Sequence, residues 1–278
     1  KLYRKLKHEG RVREHPEHGH ELSDTMVLRI HAMLHRCLKD AEAAHVIARN
    51  PTDGAVVPKA SYKPKQILTK EQMDTFLAAV DRNEIWRDFF YTELTTGLRR
   101  GEILALRWED LNEKTGELQI NKQVYPVGGK LIVSEPKTKA ANRAIILPPA
   151  MLEVLAEYKK GIFSDLMFPS RIKPDQPIDP GYVRKRLQVI LKRAGCKSVR
   201  FHDLRHTFAT HALANGVDAK TLSGILGHTQ TSFTLDTYTH VTPDMQKAAS
   251  DVVGGFLKDL LGEELNPWQG NEKAERAP

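Results

Sequence analysis

The sequence predicts a mainly α-helical protein with a small antiparallel β-sheet, an α+β fold divided between two domains. Three observations lead there. Apolar residues recur at helical spacing through most of the 278 residues. Between residues 117 and 147 the period changes to the alternation expected of strands. A basic stretch with three prolines and no period, residues 51–66 (PTDGAVVPKASYKPKQ), separates a short N-terminal part from the rest.

The elements follow in order. KLYRKLKHEGRV reads as the end of a helix closed by Gly10. Leu22 to Arg49 reads as one long helix with Ser23 as its cap and Asn50-Pro51 as its stop. Its apolar face is Ile30, Leu34, Cys37, Ala41, Ala44 and Ala48. Arg29, Arg36, Lys39 and Arg49 occupy the opposite face. Beyond the linker, Thr69 and Gln72 form a capping box, with Leu68 and Met73 as a hydrophobic staple. Helices are expected at 70–82, 85–96 and 99–108. GELQINKQVY, GKLIVSEPK and RAIILP read as strands of one small sheet, with a turn at Gly128-Gly129. Helices return at 149–160, 180–194, 202–215 and 218–226, the last three closed by Gly195, Gly216 and Gly227.

Composition narrows the function. With 40% hydrophobic and 28% charged residues the chain is an ordinary globular protein. No apolar run approaches the ~20 residues of a membrane span, and no secretion signal opens it. Cys37 and Cys196 lack metal-type spacing and fit a reducing cytoplasm. Residues 1–65 hold 13 Lys+Arg against 8 Asp+Glu, five of the chain's seven net positive charges. That surplus points to a polyanion, the ordinary alternative being a solvated surface. No glycine-rich phosphate loop is present, so no nucleotide cofactor is expected. His15, His18 and His20 sit among Pro16 and Gly19 and read as a loop, not a metal site.

Five motifs carry chemistry. In FHDLRHTFATH, His202 and Arg205 share a helical face, apart from a core stripe of Leu204, Phe208 and Ala212. A guanidinium is always charged, and its fork matches two phosphate oxygens. In TTGLRRGEILALRW, Gly97 permits a tight turn before an arginine. Physics alone leaves Arg99 and Arg100 as equal candidates. Glu102 can fix an arginine or a histidine by a hydrogen bond, or form an exposed pair worth about 0–1 kcal/mol. EPKTKAANRAI places Lys137 and Lys139 where one strand turns toward the next. A lysine ammonium there can protonate a departing alkoxide if burial lowers its pKa from ~10.4. In GVDAKTLSGILGH, Asp218 caps a short helix and Gly227 turns the chain so that His228 projects past its end. LDTYTHV supplies Tyr238, whose phenol, with a pKa of ~10, needs cations and a base to become a nucleophile.

Together these motifs resemble the tyrosine recombinase (phage integrase) family. The resemblance runs from Ile67 to Val241, with a weaker match before it. The motif wording is most similar to integrases of mobile elements, particularly conjugative transposons of Gram-positive hosts. The resemblance selects Arg99 over Arg100, and it favours Lys137 over Lys139. It implies a catalytic set of Arg99, Lys137, His202, Arg205, His228 and Tyr238, with Glu102 behind them and no metal or cofactor.

The implied architecture is a partial helical core-binding module (1–54, shortened at its N-terminus), a linker (55–66), a tyrosine-recombinase catalytic domain with a C-terminal exchange helix (67–262) and a disordered tail (263–278). The implied partner is duplex DNA at element ends and target sites. Candidate DNA contacts are Arg29, Arg36, Lys39, Lys63, Lys65, Lys139, Arg184 and Lys185. Assembly as a homotetramer on DNA through the C-terminal helix is implied, with an excisionase and host DNA-bending proteins as accessory partners. The apolar stripe Val253, Phe256, Leu257, Leu260 and Leu261 suits that helix, which alternatively folds back on its own domain. Two other readings stay open: a topoisomerase-like nicking and resealing enzyme, and a catalytically silent DNA-binding relative.

Overall fold

The computed structural model describes residues 1–59, 66–80, 85–136, 138–228 and 250, with Lys139 described by its backbone alone. Residues 60–65 of the linker, Lys137, Tyr238, the stripe from Val253 to Leu261 and the tail lie outside the described residues. The chain divides into two units, residues 1–64 and 65–278.

In the first unit α1 (Leu2–Glu9) packs on α2 (Asp24–Ala43). Ser23 caps α2 as its position predicts, accepting from the Met26 N–H. The helix stops at Ala43 and does not reach Arg49. The Val46 N–H returns to the Ala41 carbonyl at 2.9 Å and the His45 N–H to Glu42 at 3.0 Å, with His45 left-handed at φ 58°. This closure usually announces itself by a glycine, and here it does not. Buried Asn50 then donates to the His35 carbonyl at 3.2 Å and accepts from the Thr52 N–H at 2.9 Å. The expected apolar face is correspondingly incomplete: Ile30, Leu34 and Ala41 are half-buried, and Cys37, Ala44 and Ala48 are exposed. Val27 is the one apolar residue fully buried among the described residues of this unit.

The second unit is built around aromatic side chains. α3 (Lys70–Ala78) begins with both halves of the Thr69–Gln72 capping box. α4 (Ile85–Thr96) buries Trp86, Phe89 and Phe90. Phe89 meets Phe168 edge-on with ring centroids 5.2 Å apart, and Phe90 meets Phe76 at 5.3 Å. The helix expected at 99–108 is only α5 (Arg100–Ile103). The Leu106 carbonyl accepts instead from the Met167 N–H at 2.9 Å, and the Trp108 N–H donates to Asp165 at 3.0 Å. Pairing with the 165–167 segment therefore takes the backbone groups a longer helix would have used.

The single expected sheet is two. β1 (Leu111–Asn112), β2 (Glu117–Ile120) and β5 (Arg143–Ile146) form one in the order β1-β2-β5. β3 (Gln123–Val127) and β4 (Lys130–Ser134) form a separate hairpin. GELQINKQVY reads as continuous but breaks after β2, where Lys122 Nζ reaches the buried Asp110 carboxylate at 2.8 Å. Gly128 and Gly129 make the hairpin turn, both at positive φ. α6 (Pro149–Lys159), α7 (Pro180–Arg193), α8 (Phe201–Ala214) and α9 (Ala219–Leu226) fall within a residue or so of their expected spans. Among the described residues no helix is long and apolar enough to cross a membrane.

Candidate active site

The site forms where the ends of α4, α5, α8 and α9 converge on the start of β5. Gly97 closes α4 at φ 60°, its N–H bonded to the Glu93 carbonyl at 2.8 Å. A Cβ there would lie 2.3 Å from the Phe208 ring, so only glycine fits. The turn delivers Arg99 just before α5. Its N–H and Nη1 donate to the two oxygens of Glu102 at 2.9 and 2.7 Å, and its Nη2 donates to the Gly227 carbonyl at 3.1 Å. Arg99 keeps 38% of its side chain exposed, while Glu102 keeps 3%. Burial opposes ionisation of Glu102. Hydrogen bonds and charge from Arg143, then the charge of Arg99, outweigh it and hold the carboxyl below its ordinary pKa.

Arg205 shares a helical face with His202 but lies at a different depth: it is 1% exposed, whereas His202, one turn earlier on α8, is exposed. The charge is accommodated inside because acceptors await it. Nη1 donates to the Gly97 carbonyl at 2.9 Å, and Nη2 donates to the Leu226 carbonyl at 2.5 Å and to His228 Nε2 at 3.0 Å. A guanidinium can only donate, so Nε2 is the acceptor and the imidazole proton sits on Nδ1. Burial, then the charges of Arg205, Arg99, Arg143 and His202, depress the His228 pKa from 6.5 to about 4. His228 is therefore neutral at pH 7. The His202 ring packs edge-on against His206, centroids 4.6 Å apart.

The structure thus brings Arg99, Glu102, Arg205 and His228 together. Arg100 turns elsewhere, into a groove of about 790 Å³ that it lines with Arg184, Lys185, Arg200 and His202 over a floor of Leu98 and Phe201. Burial and the Arg184 charge lower the Arg100 pKa, against the opposing pull of Asp179. Two guanidiniums sharing one groove make an anion welcome there. Arg29, Arg36 and Lys39 are exposed along α2, Arg36 pairing with Asp40 at 3.1 Å. Lys137, Tyr238, Lys63, Lys65 and the Lys139 side chain lie outside the described residues.

Two residues of the site escaped the sequence reading. Arg143, at the start of β5, binds Glu102 through both terminal nitrogens, at 3.2 and 3.0 Å. The only signal was a charged residue opening the apolar run RAIILP. Glu93, on α4, is completely buried, and neither carboxyl oxygen has a hydrogen-bond partner among the described residues. Burial raises its pKa well above 4.5, against the charge of Arg205 and with that of Glu102. In the N-terminal unit the possible metal ligands of His15, Glu17 and His18 lie within 4.8 Å of one another. The two imidazoles are stacked 5.0 Å apart, so their in-plane lone pairs do not converge on one ion.

Residues 66–245 match the Phage integrase family. The chain is 27% identical over 251 residues to the ICEBs1 integrase of Bacillus subtilis strain 168, covering 86% of this chain and 67% of that one. It is 31% identical over 221 residues to tyrosine recombinase XerA of Pyrococcus furiosus, covering 78% and 68%. It therefore spans about two thirds of the length of these relatives. A solved Tn1549 transposon integrase in complex with a circular intermediate DNA has the same fold, with a TM-score of 0.72, 22% identity and coverage of 84% and 80%. A match over most of its length and a relative above 30% identity place the chain in the phage integrase family, the tyrosine recombinases, enzymes of site-specific DNA recombination.

Proposed function

We propose that this protein integrates and excises a mobile element by cutting and rejoining DNA strands through a 3′-phosphotyrosyl intermediate. The observation that carries this reading is the convergence of Arg99, Arg205 and neutral His228 on one locus, beside the groove lined by Arg100 and Arg184. Cations held by fixed partners stabilise the charge that builds on a phosphate in the transition state. Arg99 offers the open face. An arriving phosphate oxygen would compete with the Leu226 carbonyl for Arg205 Nη2, and its negative charge would favour donation from His228.

In the reaction Tyr238 attacks the scissile phosphorus as His202 accepts its proton. The bond to the 5′ oxygen breaks, and Lys137 protonates that leaving oxygen. The ester conserves the bond energy, so the partner strand's 5′-hydroxyl can reverse the step and exchange strands. The duplex would follow the Arg100–Arg184 groove, with Lys185 beside it. The helical module of residues 1–54 would add contacts to DNA through Arg29, Arg36 and Lys39. Residues 55–66, with Lys63 and Lys65, would link it to the catalytic domain of residues 67–262, where Lys139 adds a backbone contact and the C-terminal helix joins four copies on DNA.

A nicked suicide duplex carrying candidate element ends tests this directly. Wild-type protein should form a denaturant-resistant DNA adduct that Tyr238→Phe, still binding DNA, does not form. An adduct with the Phe variant rules out Tyr238. Adducts that reseal only in the original strand favour a topoisomerase-like enzyme, and DNA binding without any adduct favours a silent relative.

A further inference from the structure

We propose that Arg143 is a positioning residue that locks the loop following Lys137, and the turn carrying His228, to the carboxylate that orients Arg99. This rests on the reading of the site as a strand-transfer centre. Arg143 keeps only 7% of its side chain exposed, and its guanidinium joins the turn just before it to two segments 41 and 82 residues away. Nε donates to the Ile225 carbonyl at 2.5 Å, in the last turn of α9 before Gly227 and His228. Nη1 donates to the Ala141 carbonyl at 3.2 Å, in the short turn of residues 139–141 that follows Lys137 in sequence. Nη1 and Nη2 hold the two oxygens of Glu102 at 3.2 and 3.0 Å.

Glu102 in turn holds Arg99, and Arg99 Nη2 holds the Gly227 carbonyl. These bonds form a closed circuit through Arg99, Glu102, Arg143 and the end of α9. The circuit is tightly built. A Cβ on Gly227 would lie 2.9 Å from both Arg143 Nη1 and the Ala140 carbonyl. The charges are apportioned usefully as well. One carboxylate serves two guanidiniums and leaves one net positive charge. The two-pronged pairing belongs to buried Arg143, and the half-exposed Arg99 keeps donors for a phosphate. A packing arginine would need no such arrangement. The three segments joined here lead to the phosphate-holding arginine, the general-acid lysine and the second phosphate donor.

The consequence is geometric coupling. Without Arg143 the 139–141 turn, which follows Lys137 in sequence, loses its tie to the clamp, and displacement of a catalytic group by about 1 Å costs on the order of 10²-fold in rate. The defect should fall mainly on leaving-group protonation, because Arg99 keeps its own bonds to Glu102 and to the Gly227 carbonyl when Arg143 is removed. Single-turnover cleavage is measured on a normal suicide duplex and on one with a 5′-bridging phosphorothiolate, whose sulfur leaves without a proton. Arg143→Ala and Arg143→Lys should lose about 10- to 100-fold on normal DNA and recover on the sulfur duplex as Lys137→Ala does. The Arg143→Ala/Lys137→Ala double variant should be no worse than Lys137→Ala alone on normal DNA.

Melting temperature and DNA binding are followed in parallel. Should the Ala variant fail to fold, the Lys variant, which keeps the charge but not the three-way bridge, decides. Equal loss on both duplexes, additive effects in the double variant, or wild-type cleavage by a folded Arg143 variant overturns the proposal. Absence of an adduct with the wild-type protein, or its persistence in Tyr238→Phe, overturns the strand-transfer reading itself and is read from those proteins alone.

Discussion

Val27 is the one apolar residue buried among the described residues of 1–64, whereas residues 65–278 bury Phe76, Phe89, Phe90 and Phe168 in one continuous core. The N-terminal unit is held mainly by polar contacts. Tyr3 hydroxyl meets His31 Nδ1 at 2.8 Å, Lys7 pairs with Asp24, and the Leu22 N–H donates to the Lys7 carbonyl at 2.9 Å. Each such contact contributes about 0.5–1.5 kcal/mol net, because water offers a competing partner. A buried phenylalanine contributes several times that. The comparison teaches that the unit holding Arg99, Arg205 and His228 has a core of its own. The N-terminal unit keeps Met26, Met33 and Val46 exposed and gains most from a surface supplied by something else.

The largest effect should separate the two units by stability. Phe89→Ala should destabilise the second unit by about 3–5 kcal/mol. Val27→Ala should cost about 1.5 kcal/mol, read as faster hydrogen exchange and proteolysis within residues 1–59. Thermal melting of both variants checks this. A single shared transition in Val27→Ala, moved as far as in Phe89→Ala, would break the contrast.

Arg205→Ala sharpens it next, because in the second unit site and core overlap. Cleavage should fall by ~10²-fold or more, the usual loss for one transition-state donor. The His228 pKa should also rise from about 4 toward 6.5, though not fully, since burial remains the larger cause. NMR titration of the imidazole reads this. An unmoved pKa would mean that Arg205 does not govern His228.

Glu93 gives the second unit a pH dependence. Burial raises the pKa of its carboxyl well above 4.5 in the folded chain, while the unfolded chain ionises it near 4.5. The native state then binds the extra proton, so this contribution is fully present below about pH 4.5. It declines by about 1.4 kcal/mol per pH unit as pH rises toward the folded pKa. Glu93→Gln should remove that slope and raise the melting temperature more at pH 8 than at pH 5. Parallel stability–pH curves for variant and wild type would show instead that the carboxyl ionises inside the fold. The smallest effect is expected on α2. Arg36→Ala should change stability by less than about 0.5 kcal/mol yet reduce the salt slope of DNA binding by about 0.9. An unchanged slope would remove Arg36 from the DNA-contacting surface.

The sequence by itself determined whatever depends on neighbours along the chain. Asp218 before α9, Gly227 after it, the Thr69–Gln72 box and the Gly128-Gly129 turn are local signals, and they hold in the fold because caps and turns are satisfied within a few residues. The helical spacing of His202 and Arg205 was likewise legible, but not their depths, since periodicity names a face and not what lies against it. Tertiary structure decided where α2 ends, because His45 and Asn50 close it without a glycine. It also broke β2 from β3 through Lys122 and Asp110, and it drew Arg205 inside onto the Gly97 and Leu226 carbonyls. The pairing of Arg143 with Glu102 spans 41 residues. A buried charge is tolerated only where such distant partners converge on it, and that convergence exists only once the chain has folded.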